Sequence, residues 1–166
     1  PATPYRAANI VNGMSNYRRN SPFANAAVVA AVHLDQYLGR TVDPLEALDW
    51  LRNLEEKFYA FSNGYAAPAC TIRDFLDGNV SAKNDLQSMG SSFPLGLVPG
   101  NFDELFPRQV VTSLRAGMAF FNSKLKHFDQ GLALGLESKT SSPIQARRDR
   151  NGRSETIGNL YICGEG

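Results

Sequence analysis

The stretch DPLEALDWLRNLEEKFYAFSNG, residues 43–64, carries the clearest structural signal in the chain. Asp43 is an N-cap residue, Pro44 suits the first helical position, and Glu46 stands three residues after Asp43, where it closes a capping box. Leu45, Leu48, Leu51, Leu54, Phe58 and Phe61 recur at three- and four-residue spacing and predict one apolar stripe. Asp49, Arg52, Glu55, Glu56 and Lys57 fall on the opposite face by the same count, and Asn63-Gly64 supplies a left-handed stop.

Upstream of this helix, Asn9–Val11 and Ala26–Leu34 are β-prone, and a turn-rich connection through Asn12-Gly13 and Arg18–Pro22 joins them. Two strands are expected there. Downstream, Tyr65–Ala69 reads as a short strand, and Thr71 caps a brief helix through Asp74, Phe75 and Leu76. Residues 77–101 are rich in Gly, Ser, Asn and Pro without periodicity, so a surface excursion or lid is expected. A second amphipathic helix runs from Pro107 through Val110, Val111, Leu114, Met118, Phe121 and Leu125, preceded by a short turn at Phe102–Phe106. Leu132–Glu137 returns to strand character, and a last strand is expected at Asn159–Cys163. Strands and helices mix without a βαβ rhythm. The expected fold class is therefore α+β, a mixed β-sheet packed with two principal amphipathic helices.

The 166 residues, 43% of them apolar, suffice for one core. Seventeen basic residues against sixteen acidic ones leave a formal charge of +1, which points to neither nucleic acid nor a membrane surface as partner. The longest apolar run, Ala26–Val32, is too short to span a bilayer. Two widely separated cysteines, Cys70 and Cys163, read as reduced thiols of a cytoplasmic protein. Neither they nor His33 and His127 have metal-ligand spacing, so no metal is expected. Pro1 at one end, and Gly164-Glu165-Gly166 directly after an apolar run at the other, read as the ends of a piece of a longer protein.

Three groups of residues are candidates for chemistry. Gly164, Glu165 and Gly166 follow a strand, where glycine amides approach phosphate or sugar and a carboxylate accepts from ribityl or ribose hydroxyls; a plain glycine-bearing tail is the other reading. Arg18 and Arg19, beside Ser21, Pro22 and Asn25, form either an anion-binding loop or a solvated turn. Thr140, Ser141 and Ser142 precede Pro143 and offer three hydroxyls to a carbonyl or phosphate, or simply cap a turn. Arg147, Arg148, Arg150 and Arg153 surround a turn at Asn151-Gly152 and could meet a phosphate, but with Asp149 and Glu155 among them they read rather as a surface salt-bridge cluster.

Five ordered segments together resemble the bacterial FAD-dependent dehydrogenase family, a group of uncharacterised NAD(FAD)-utilising flavoproteins. They are VNGMS at 11–15, RNSPFAN at 19–25, YAAPA at 65–69 followed by DFL at 74–76, ESKTSSP at 137–143, and NLYICGEG at 159–166. The resemblance implies an oxidoreductase that uses FAD, with NADH or NADPH as candidate reductant. It implies that residues 1–158 are an inserted, substrate-side domain and that 159–166 return to the FAD-binding domain, the partner of this piece. Gly164, Glu165 and Gly166 would then belong to a flavin-contact motif, and Arg18, Arg19, Ser21, Asn25, Thr140, Ser141 and Ser142 would face substrate. Lys139 stands where the family usually has arginine, and Gln145 where it often has another basic residue. A piece lacking the glycine-rich dinucleotide fingerprint is expected to be inactive alone. The competing reading is a non-enzymatic small-ligand or protein-binding module with a disordered glycine-containing tail.

Overall fold

The computed structural model describes residues 6–12, 17–139 and 146–163. Helices α1 (Leu34–Leu38) and α2 (Pro44–Ser62) precede strand β1 (Ala67–Thr71), which passes directly into α3 (Ile72–Asp77). Helix α4 (Lys83–Met89), strand β2 (Leu97–Pro99), α5 (Phe102–Leu105) and α6 (Arg108–Lys124) follow, and a single 3-10 turn leads into β3 (Leu132–Leu134). The three strands form one sheet in the order β2-β1-β3. β1 runs parallel to β2, with Ala67 opposite Leu97, and antiparallel to β3, with Ala69 opposite Leu134. The α+β class and the mixed sheet are as expected from the pattern.

Local chemistry explains the two long helices. The Asp43 carboxylate accepts from the Leu45 amide across 2.8 Å, Pro44 occupies the first turn, and Asn63 ends α2 in the left-handed region at φ 49°. Glu46 is held below the usual carboxylate range, chiefly because Arg40 hydrogen-bonds it, and the Asp43 backbone contributes the capping-box contact. Helix α6 has Pro107 as its N-cap and is held to α3 and α5 by Arg115, whose Nε donates to the Phe75 carbonyl at 2.8 Å while another nitrogen donates to Asp103 at 2.7 Å. The core gathers Phe58, Cys70, Phe75, Phe102 and Val111 between α2, the sheet and α6. A tilted ring contact of Phe58 on Phe106 at 4.9 Å and an edge-on contact of Phe75 on Phe102 at 5.8 Å knit α2 and α3 to α5 and its C-cap.

Several local expectations change. Ala26–Leu34 forms no ladder among the described residues, and its last residue begins α1, with His33 as N-cap rather than a strand residue. Asn9–Val11 is likewise not a strand, although the Val11 amide donates to Leu136 O at 2.7 Å and the Asn9 amide to Glu55 O at 3.1 Å. Residues 77–101 are not simply a loop: α4 and β2 lie within them, and β2 is short enough to escape periodicity. Asn159–Cys163 is reduced to a bridge between Tyr161 and Arg153. Glu55 is not on the exposed face of α2; it is fully buried, whereas Leu45 of the apolar stripe is 71% exposed.

Candidate functional site

A cavity of about 1040 Å³ lies between the Pro22–Val32 strap on one side and α2, α6 and β3 on the other. Its walls are mostly apolar, including Leu51 and Leu54 of α2, Val110 and Met118 of α6, and Val28 of the strap. Among the described lining residues there is no lysine or arginine; Glu137 is the carboxylate and His127 the imidazole. Such a wall suits a neutral, flat or apolar ligand part and gives no purchase to a diphosphate. The strap is seated at its start by Phe23, whose ring tip would lie 3.2 Å from a Cβ at Gly90, the left-handed residue (φ +69°) that ends α4. Bulk at that glycine would lift the strap. Trp50, the chain's single tryptophan, also lines the cavity and meets the Tyr37 ring edge-on at 6.0 Å.

A polar node adjoins the cavity. The Glu55 carboxylate, without solvent access, accepts from Ser138 Oγ at 2.5 Å and pairs with the Lys139 ammonium. Glu55's carbonyl holds the Asn9 amide, and Asn9 Nδ2 donates to Ala66 O at 2.8 Å. Together with the Val11–Leu136 bond, these contacts fasten the two segments from which the candidate loops depart, one after Asn12 and one after Lys139. Asn12 and Ser138 both line the cavity.

Of the residues singled out from the sequence, Asn25 lies in the cavity wall. Arg18 and Arg19 are exposed, Arg19 in the left-handed region at φ 49°, and neither belongs to the lining. Ser21 Oγ accepts from the Phe23 amide at 3.2 Å and so shapes the turn into the strap. Thr140, Ser141, Ser142, Gln145, Gly164, Glu165 and Gly166 lie outside the described residues. Lys139 is engaged by Glu55. In the tail, Asp149 accepts from the amides of Asn151 and Arg153, while Arg153 donates to Gly158 O at 2.7 Å and Arg148 to Ile162 O at 3.2 Å. These contacts close a turn around Gly152, whose φ is 81°.

Sequence reasoning missed Glu55. Its signal was present, because Leu51, Glu55 and Phe58 follow one another at four- and three-residue steps and therefore share a face of α2. Cys70 is no nucleophile: burial first, then the charges of Asp74 and Asp103, push its thiol up to about 12. No helix among the described residues is long and apolar enough to cross a membrane.

Comparison with known proteins gives two findings. The family described as "FAD-dependent protein, C-terminal domain-like" matches residues 1–140. An uncharacterised protein of Clostridium beijerinckii (strain ATCC 51743 / NCIMB 8052) is 30% identical over 160 residues, which cover 95% of this chain and 29% of that protein. The chain thus spans less than a third of the length of the relative it matches.

Proposed function

The chain belongs to the FAD-dependent protein, C-terminal domain-like family, and from that premise we propose that it is the substrate-side domain of an FAD-dependent oxidoreductase of the dehydrogenase type. The observation that carries this reading is the apolar cavity of about 1040 Å³ walled by the Pro22–Val32 strap, with Asn12, Asn25 and Ser138 as polar groups in its lining. A volume of that order accommodates a flat heteroaromatic ring together with a small substrate. The residues present fit the ring end of FAD and not its diphosphate, which needs amide-rich or basic surroundings that the described lining lacks.

FAD, when bound, supplies the two-electron chemistry. The part of this chain is to exclude water with its apolar wall and to orient ligand through side-chain amides and hydroxyls. Asn12, Asn25 and Ser138 are the groups that would hold the ring edge or the substrate beside it. The Glu55 node holds Ser138 beside them, and in this reading Arg18, Arg19, Ser21, Thr140, Ser141 and Ser142 would face the substrate. Gly164, Glu165 and Gly166 would contact the cofactor from the tail. The isolated domain has no activity in this reading, because half a cofactor site forfeits most of the contacts that offset the cost of ordering a large ligand.

The test is a cavity-filling substitution. Ala30 lines the cavity from the strap and is half-buried, so Ala30→Trp intrudes on the ligand volume. In the full-length protein loaded with FAD, the substitution should shift the visible flavin bands and change flavin fluorescence. An unaltered flavin spectrum in a folded variant would separate the cavity from the ring and overturn the reading.

A further inference from the structure

We propose that residues 26–32 are a β-strand that completes its hydrogen bonding with a strand from the remainder of the longer polypeptide to which this domain belongs. The segment reads AAVVAAV, apolar throughout. Among the described residues, none of the seven belongs to a helix or to a ladder. From Ala27 onward their exposure nevertheless alternates as in a strand: Val28, Ala30 and Val32 are half-buried, while Ala27 and Ala31 are exposed and Val29 is 61% exposed. A period of two is a strand's period. In a strand with one wetted face the outward positions are polar, whereas here Val29 and Ala31 are apolar, the pattern of a strand covered on both faces.

Backbone amides and carbonyls that are not in a ladder must be solvated, and solvating them keeps the adjoining valine and alanine side chains in water. A partner strand satisfies the backbone groups and removes that apolar surface from water in one step. The segment also walls the cavity, so the same pairing would join the cavity to the rest of the protein.

The occupant is the polypeptide's own remainder rather than a second copy of this chain. The chain spans 29% of the similar Clostridium protein, so most of such a polypeptide lies beyond this domain. A tethered strand is present at an effective concentration on the order of millimolar, far above that of a second molecule. The inference rests on the domain belonging to a longer protein and is independent of the flavin.

Hydrogen exchange on the flavin-free full-length polypeptide, at two protein concentrations, tests it. The amides of residues 26–32 should exchange at least about 100-fold more slowly than an unstructured peptide, equally at both concentrations. Val29→Pro, which removes a ladder donor, should return the segment to fast exchange, while Val29→Thr should keep it protected. Exchange at unstructured rates in the unsubstituted protein would overturn the proposal. So would protection that appears only at the higher concentration together with dimerisation, which would assign the strand to a second copy. Failure of the flavin reading would show in the visible spectrum and leave these rates unchanged.

Discussion

Ser138 donates its hydroxyl to the carboxylate of Glu55 across 2.5 Å, joining the middle of α2 to the segment that leaves β3 for the Thr140–Ser142 run. Lys139 completes the contact from the next position. The pair is asymmetric: the Lys139 side chain keeps 34% of its surface in water and that of Glu55 keeps none.

Substitutions on the two sides should therefore differ in cost. Glu55→Gln leaves an acceptor for Ser138 and releases Lys139 toward solvent, a loss of about 1 kcal/mol. Lys139→Met strips a positive charge from a carboxylate without solvent access and should cost about 3 kcal/mol. Urea unfolding of the two variants measures the order; a costlier Glu55→Gln would show that the lysine, not the buried carboxylate, anchors the node.

Gly135 supplies a second prediction. A Cβ there would lie 2.6 Å from Cε1 of Phe58 and 3.1 Å from Cε1 of Phe102, two buried rings held by their neighbours. Gly135→Ala should lower unfolding stability by about 1–3 kcal/mol through overpacking. Thermal denaturation of the variant at the wild-type midpoint would mean that the core accommodates the added methyl group.

The two thiols should behave oppositely. Cys163 is exposed, and Cys70 is buried with its thiol pushed up to about 12, mainly by desolvation. A thiol reagent at mildly alkaline pH should modify one cysteine quickly in the folded protein and the second only on unfolding. The raised value also sets a sign: the unfolded thiol ionises first, near the ordinary value of 9.0, so its contribution to stability is complete below pH 9 and is lost as pH rises toward 12. Cys70→Ala should flatten stability against pH in that window, and an identical slope in variant and wild type would assign the alkaline loss to other groups.

The elements legible in the sequence were those governed by local chemistry. Asp43-Pro44 and Asn63 bound α2, Thr71 caps α3, and the spacing from Val110 to Met118 identifies α6, because capping and helical periodicity act within a few residues. What stayed hidden depends on partners distant in the chain. β2 has three residues and exists through its pairing with β1, and the burial of Glu55 follows from Ser138 and Lys139, more than eighty positions away. The AAVVAAV segment shows the converse, since its strand propensity is plain and the described residues provide no strand to pair with it. Of the residues that the sequence offered for substrate contact, the structure puts Asn25 in the cavity wall, and the apolar character of that wall follows from bringing α2, α6 and the strap together.

The most direct measurement is the visible absorption spectrum of the full-length protein, purified, supplied with FAD and freed of unbound cofactor. Flavin bands retained at about one flavin per chain are the expected result. A colourless protein that is folded yet keeps no FAD would contradict the assignment of this domain to a flavin-dependent oxidoreductase.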